Sequence, residues 1–364
     1  MKIENLFEEV KFKSGRSISN RFMLAPMTNL QSYDDGTLSE DEYKWLTMRA
    51  EGGYGLTMTC AAHVQKHGQG FPGQLGVFSD EHIDGLSKLA QGINKTPSLS
   101  ILQLHHAGIR SPEKLIGKNP VAPSGIKEAK TGILPSELST KEVQQLVCDF
   151  VAGAKRSEKA GFHGVEIHGA HGYILTQFLS ETYNQRKDQY GGSFEGRSRV
   201  FFEIIDGIRK QCTADMVLGV RLSPEMHGLK LEEVLKLTQL LIDSGKVDFL
   251  DISLWDVYKT PKDYPDTEKK LIAYFKDLQW NDVKFVAAGK IYSPKDAVWC
   301  LEQGADFIAL GKMGILHHDY PEKLKKDKKF RPVTPPVSEA YLREQGLGPK
   351  FINYMGRWDG FIKK

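Results

Sequence analysis

Residues 284–312 read KFVAAGKIYSPKDAVWCLEQGADFIALGK, and the fold can be read from this stretch. It opens on a short apolar run, 284–288, of the kind a strand shows when helices cover both faces of its sheet. Gly289-Lys290 closes the run. Ser293-Pro294 then pairs an N-cap residue with proline at the first helical position, and a helical period follows over 294–303. Gly304 supplies the left-handed residue needed past a helix end. A second apolar run, 306–310, ends in another Gly-Lys pair, Gly311-Lys312. Strand, helix and strand in this order form a βαβ unit with parallel strands.

Working outward, six earlier runs have the same character: 22–25, 56–60, 98–104, 164–168, 217–222 and 248–253. Helical periods over 81–91, 141–160, 196–210 and 232–244 lie between them, with Gly161 and Gly245 placed as Gly304 is. Eight strand–helix units in 364 residues predict an α/β fold, the (β/α)8 TIM barrel. A doubly wound sheet would need a G-x-G-x-x-G after the first strand, where Ala25-Pro26-Met27-Thr28 stands instead. The spacing is uneven, because a helix accounts for only the last third of the gap between the third and fourth strands. Residues 105–140 are therefore a long excursion after strand three, and loops that long are usually functional. The barrel is expected over 1–330 and a separate tail over 331–364. The basic run 323–331 reads as a solvated helix end and linker. In the tail, Phe351, Tyr354, Trp358 and Phe361 form a stripe that must bury against the barrel or a neighbouring subunit.

Composition narrows the function. Lys plus Arg number 49 and Asp plus Glu 46, a net charge of +3, with none of the basic excess of a nucleic-acid binder. No apolar run approaches the ~20 residues that span a bilayer, so no membrane association is expected. The opening MKIENLFEEVKF is too charged for a signal-peptide core. Cys60, Cys148, Cys212 and Cys300 stand far apart with no C-x-x-C, which excludes zinc ribbons and cysteine-bound iron–sulfur clusters. A reduced, cytoplasmic protein is expected, with homo-oligomerisation left open.

In a barrel of this kind the active site forms at the C-terminal ends of the strands. Those ends carry Pro26 and Thr28, Cys60, Gln103, the cluster His168, His171 and Tyr173, and Arg221. Gly289-Lys290 and Gly311-Lys312 follow strands seven and eight, where loops commonly cradle a phosphate; surface turns are the alternative. His168 and His171 have H-x-x-H spacing, yet neither a nearby Cys nor an H-E-x-x-H pattern completes a zinc site, and no metal is expected. Two imidazoles and a phenol in one pocket would instead polarise a carbonyl oxygen and deliver a proton. Arg221, a fixed positive charge facing the same mouth, implies an anionic ligand.

Residues His168-Gly169-Ala170-His171-Gly172-Tyr173 and the run from Asn184 to Arg197, NQRKDQYGGSFEGR, resemble the signature of the Old Yellow Enzyme family. Asn20-Arg21-Phe22, Pro26-Met27-Thr28, Gln103-Leu104 and the block at Gly311 agree with it in order and spacing, so the resemblance covers about residues 1–320. It implies an FMN-containing (β/α)8 barrel that takes hydride from NADH or NADPH. It also implies a small-molecule substrate, an electrophilic alkene such as an α,β-unsaturated carbonyl compound, or a quinone. Carried over, Pro26 and Thr28 would line the flavin, Cys60 would lie under it, and Gln103 would bond its pyrimidine edge. Arg221 would sit by N1, where charge develops on reduction. His168 and His171 would hold the substrate oxygen, Tyr173 would protonate the α-carbon, and Gly289, Lys290, Gly311 and Lys312 would hold the phosphate. Many members carry Arg where Lys312 stands, so a point charge replaces a bidentate grip. Leu30 stands where some bacterial branches place a tyrosine. Three other readings stand beside it: a flavin barrel reducing a nucleic-acid base, like the dihydrouridine synthases, a metal-dependent aldolase-type barrel using His168 and His171, and a non-catalytic flavin-binding module.

Overall fold

The structure is a computed structural model, and it describes residues 1–129 and 131–363. Eight strands close a barrel: β1 (Phe22–Leu24), β2 (Leu56–His63), β3 (Leu99–His105), β4 (Gly164–Gly169), β5 (Val217–Leu222), β6 (Phe249–Ser253), β7 (Lys284–Ala288) and β8 (Phe307–Leu310). Their order around the barrel is their order in the chain, and every pairing is parallel, from β1 against β2 to β8 against β1. Most of their residues are buried, because helices cover the outside and side chains fill the inside. The covering helices are α1 (Glu40–Glu51), α2 (Ile83–Asn94), α3 (Thr140–Lys159), α4 (Phe194–Gln211), α5 (Leu231–Asp243), α6 (Leu271–Lys276) and α7 (Pro294–Glu302). After β8 come the short α8 (Lys312–Leu316) and α9 (Tyr320–Lys326).

Local chemistry sets the helix starts. Ser293 Oγ accepts from Asp296 N (3.2 Å), Asp296 Oδ2 accepts in return from Ser293 N (2.8 Å), and Pro294 fills the first helical position. Ser139 and Glu142 make the same reciprocal pair at α3, while Ser39 and Ser193 cap α1 and α4 through their hydroxyl oxygens alone. Gly161, Gly245 and Gly304 take φ of +91°, +63° and +95° just past their helices. The N-terminal end of the barrel is plugged by a hairpin, Val10–Lys11 with Ser17–Ile18. Phe12 beside it packs on Phe249 and Phe307, each with ring centroids 6.0 Å apart. With that end filled, the barrel interior opens at its C-terminal mouth.

Two expectations change. The sequence reading has no helix between strands one and two, yet α1 lies there. Its buried face includes Glu42 and Arg49 beside Trp45, Leu46 and Ala50, so charges hide the apolar period. Strand two runs three residues past its expected end, with a register shift between Met58 and Ala61. Among its described residues the excursion 105–140 holds a 3-10 turn, Gly108–Arg110, a helical turn, Glu113–Ile116, and a small parallel pair, Val121–Ala122 with Ser136–Glu137.

The last helices, α10 (Glu339–Glu344) and α11 (Pro349–Met355), lie on this chain's own barrel. Phe351 meets Trp45 of α1 edge-on with centroids 4.9 Å apart, and Gly348 N donates to Gln31 Oε1 (2.8 Å). No helix among the described residues is long and apolar enough to cross a membrane.

Candidate active site

A cavity of about 430 Å3 opens at the C-terminal mouth. Pro26, Met27 and Thr28 after β1, Ala61 of β2, Gln103 of β3, His168, His171 and Tyr173 after β4, and Arg221 of β5 all line it. Phe71, Ile315 and four residues of the C-terminal segment complete the wall. A second cavity of about 220 Å3 adjoins it, sharing Pro26, Met27, His171, Arg221, Trp255 and Lys312 and ending at Gly289, Lys290 and Gly311. The structure thus brings eleven of the twelve expected site residues to one mouth.

Cys60 is the exception. Its side chain turns outward to the buried Glu42 of α1, and Ala61 faces the mouth in its place. The register shift in β2 is the cause, since one extra residue exchanges the two faces of a strand. Burial raises the Cys60 thiol pKa well above its ordinary value, so this thiol stays protonated.

The imidazoles form one chain. Ala170 N donates to His168 Nδ1 (3.3 Å), so this nitrogen carries no proton and the neutral ring holds its proton on Nε2. His168 Nε2 lies 3.3 Å from His171 Nδ1, and His171 Nε2 lies 2.8 Å from Ser253 Oγ. When the Ser253 hydroxyl donates to His171, the His171 proton moves to Nδ1 and two N–H groups face each other. A single oxygen acceptor between them satisfies both. Burial first, then neighbouring positive groups, depress both histidines well below their ordinary pKa, so both rings are neutral.

His171 adopts φ +61°, a left-handed conformation uncommon for a residue with a side chain. Its N–H donates to Ser223 Oγ (2.9 Å) and its carbonyl accepts from Arg110 Nη1 (2.8 Å), which holds it there. The Tyr173 ring packs edge-on against His105 (4.3 Å) and His168 (5.0 Å), with the Arg110 guanidinium 5.7 Å from its centroid. Burial raises the Tyr173 pKa, and Arg110 opposes the shift.

Below this cluster lies a charged floor. Arg221 pairs with Asp251 of β6 at 2.9 Å, and Gln103 Nε2 donates to Glu166 Oε1 (2.7 Å). Burial, then the Asp251 charge, raise the Glu166 pKa well above its ordinary value, so Glu166 is a neutral acid. With one Gln103 amide N–H engaged by Glu166, its carbonyl oxygen remains free to accept from a ligand in the cavity.

At the far end Gly289 has φ +147°, and a Cβ there would come within 2.9 Å of Asp256 N and the Trp255 carbonyl carbon. A Cβ on Gly311 would meet only Met27 Sδ, at 3.6 Å, so this backbone borders open space. Lys312 Nζ stands 4.9 Å over the Tyr292 ring, while Lys290 pairs with Asp256 at 3.1 Å. Among the described residues no group of three His, Cys, Asp or Glu side chains is placed to hold a metal.

The sequence reading missed Glu166, Asp251, Ser253 and Arg110. Ser253 was within reach: it ends the expected strand 248–253 on the mouth side. The partners of the other three depend on contacts between strands and loops.

The model of the NADH:flavin oxidoreductase / NADH oxidase family matches residues 5–330. The chain belongs to that family. It is an NAD(P)H-dependent flavin oxidoreductase of the Old Yellow Enzyme kind, and its cofactor is FMN. It is 34% identical to the probable NADH-dependent flavin oxidoreductase YqiG of Bacillus subtilis, over 96% of this chain and 98% of that protein. It is 32% identical to an NADH:fumarate oxidoreductase of Klebsiella pneumoniae over 88% of this chain, but spans only 36% of that protein. The Old Yellow Enzyme homologue of Zymomonas mobilis superposes with a TM-score of 0.79 at 26% identity, over 96% of this chain and 99% of that one.

Proposed function

We propose that this enzyme reduces the activated C=C bond of α,β-unsaturated carbonyl-type substrates, with residues 1–330 as the flavin-binding unit. The observation that carries the reading is the facing pair His168 Nε2 and His171 Nδ1, 3.3 Å apart and neutral, beside the Tyr173 phenol in one cavity. Neutral donors suit a carbonyl oxygen, and the phenol suits a carbon that must be protonated.

The residues present fit FMN. Gln103 and Arg221 face the larger cavity and suit the polar edge of the ring, with Pro26 and Thr28 beside them. The open backbone at Gly311, the turn at Gly289 and the Lys312 charge suit a phosphate. Lys290 joins them once it leaves Asp256. When bound, FMN would supply the hydride-transfer chemistry that links NADH or NADPH to the alkene β-carbon. His168 and His171 hold the substrate oxygen and stabilise the charge that develops on it. Tyr173 gives its proton to the α-carbon, so hydride and proton add across the double bond.

Anaerobic stopped-flow mixing tests this. The purified yellow protein is reduced with NADH or NADPH, then mixed with an enone or with a quinone. Reoxidation by the enone with formation of the saturated ketone is expected. Reoxidation by the quinone alone would leave a flavin or quinone reductase and overturn the proposal.

A further inference from the structure

We propose that Asp251 sets the reduction potential of the flavin, by cancelling part of the Arg221 charge at the ring edge. The inference rests on the placement of the FMN edge beside Arg221 given above. Asp251 stands in the middle of the apolar strand β6, FLDIS, and is fully buried. It lies directly opposite Arg221 in the parallel ladder of β5 and β6, so the two side chains share one face of the sheet. Asp251 Oδ2 comes within 2.9 Å of Arg221 Nε. Arg221 lines both cavities, whereas Asp251 lines neither. Asp251 therefore acts through Arg221 and is a positioning residue.

Among the described residues neither Asp251 oxygen accepts a hydrogen bond. Burial pushes its carboxyl up and the Arg221 charge pulls it back down, so attraction between the two charges keeps it ionised. A buried carboxylate held by charge alone is costly and calls for a purpose. Glu166, the other acid of this floor, is neutral, which leaves Asp251 as its charged carboxylate. Two-electron reduction places negative charge at the N1 edge of a flavin. A lone guanidinium there would favour the reduced ring strongly. A carboxylate beside that guanidinium opposes the effect by the same Coulomb law, and strongly in a floor poor in water. The reduced flavin is thereby kept a ready hydride donor.

The holoenzyme can be reduced anaerobically in equilibrium with a dye of known potential, which reads the ratio of reduced to oxidised flavin. Asp251→Asn should move that ratio at least about tenfold toward the reduced form, a rise of about 30 mV for a two-electron couple. Asp251→Glu keeps the charge and should stay within about threefold of the parent. Adding Arg221→Gln to Asp251→Asn should abolish the rise. A parental ratio in folded Asp251→Asn, a rise that Asp251→Glu shares in full, or one that persists without Arg221 would overturn the assignment. Should Asp251→Asn lose its flavin, the parent still decides. Against the same dye its ratio should lie no more than about tenfold above that of free FMN, and a larger excess would overturn the assignment. Release of FMN on dilution separates the two levels of failure. Arg221→Gln should hold oxidised FMN at least about tenfold more weakly than the parent. If it holds FMN as tightly, the placement of the ring beside Arg221 falls. If it holds FMN weakly while Asp251→Asn keeps the parental ratio, only the part given to Asp251 falls.

Discussion

At the scale of single residues, Tyr173 and Ser253 make separable contributions. The Tyr173 phenol is half-buried beside both histidines, and its raised pKa leaves it protonated at neutral pH. An enolate is basic enough to take that proton. Tyr173→Phe removes the hydroxyl alone, so flavin reduction by NAD(P)H should be nearly unchanged while reoxidation by an enone slows about 10²- to 10⁴-fold. Quinone reoxidation should be spared, because a quinone needs no proton on carbon. Single-turnover traces with each oxidant check the difference. Ser253 acts through His171. Its hydroxyl, 2.8 Å from Nε2, can donate to that nitrogen and so supports a proton on Nδ1 once a substrate oxygen is held there. Ser253→Ala removes that bias and should weaken phenol binding by about 1 kcal/mol while leaving flavin content intact. Ser253→Thr, which keeps the hydroxyl, should bind phenol as the parent does.

Elements set where these side chains stand. The loops after β7 and β8 are built differently, although each begins with Gly-Lys in the sequence. At Gly289 the left-handed backbone and the nearby Trp255–Asp256 chain demand glycine. At Gly311 the space is open, and Lys312 is not paired with a carboxylate as Lys290 is. Lys312→Ala should therefore cost more FMN affinity than Lys290→Ala, about 1.5–3 kcal/mol for a charge-assisted contact. Fluorescence of FMN released on dialysis measures both. The motifs alone rank the two lysines equally; the ion pair to Asp256 separates them.

For the molecule as a whole, buried titratable groups predict the pH dependence of stability. Burial depresses His63 to about 4, His106 to about 3 and His317 to about 4. The folded chain then binds fewer protons than the unfolded chain below about pH 6.5, the unfolded value. Stability is complete above that pH and falls as pH drops, by about 1.4 kcal/mol per pH unit for each such histidine. Glu42 works in the opposite direction. Burial raises it to about 7, so the folded state holds its proton longer and stability falls as pH rises from about 4.5 to 7. Three histidines outweigh one carboxyl, and thermal melts should show a net loss of Tm from pH 7 to pH 5. Glu42→Gln removes the opposing slope. That variant should gain up to about 3 kcal/mol at pH 8 and show a steeper decline on the acid side.

The barrel, its mouth and the His168–His171–Tyr173 cluster were legible in the residues because they depend on local signals. Strand periodicity, serine caps and glycine stops act within one or two turns of chain, and side chains at strand ends meet wherever eight such units close. What the tertiary structure alone decided involves partners far apart in sequence. The shift at Met58/Ala61 is relative to β3, and it sends Cys60 outward to Glu42. Ser253 reaches His171 across 82 positions of chain. The aromatic stripe at the C-terminus announced that it must be buried, but a stripe carries no address. Its place at the mouth depends on contacts with Trp45 and Gln31, some 300 residues away. Such contacts follow from how the closed barrel presents its surfaces, and periodicity within one segment holds no record of them.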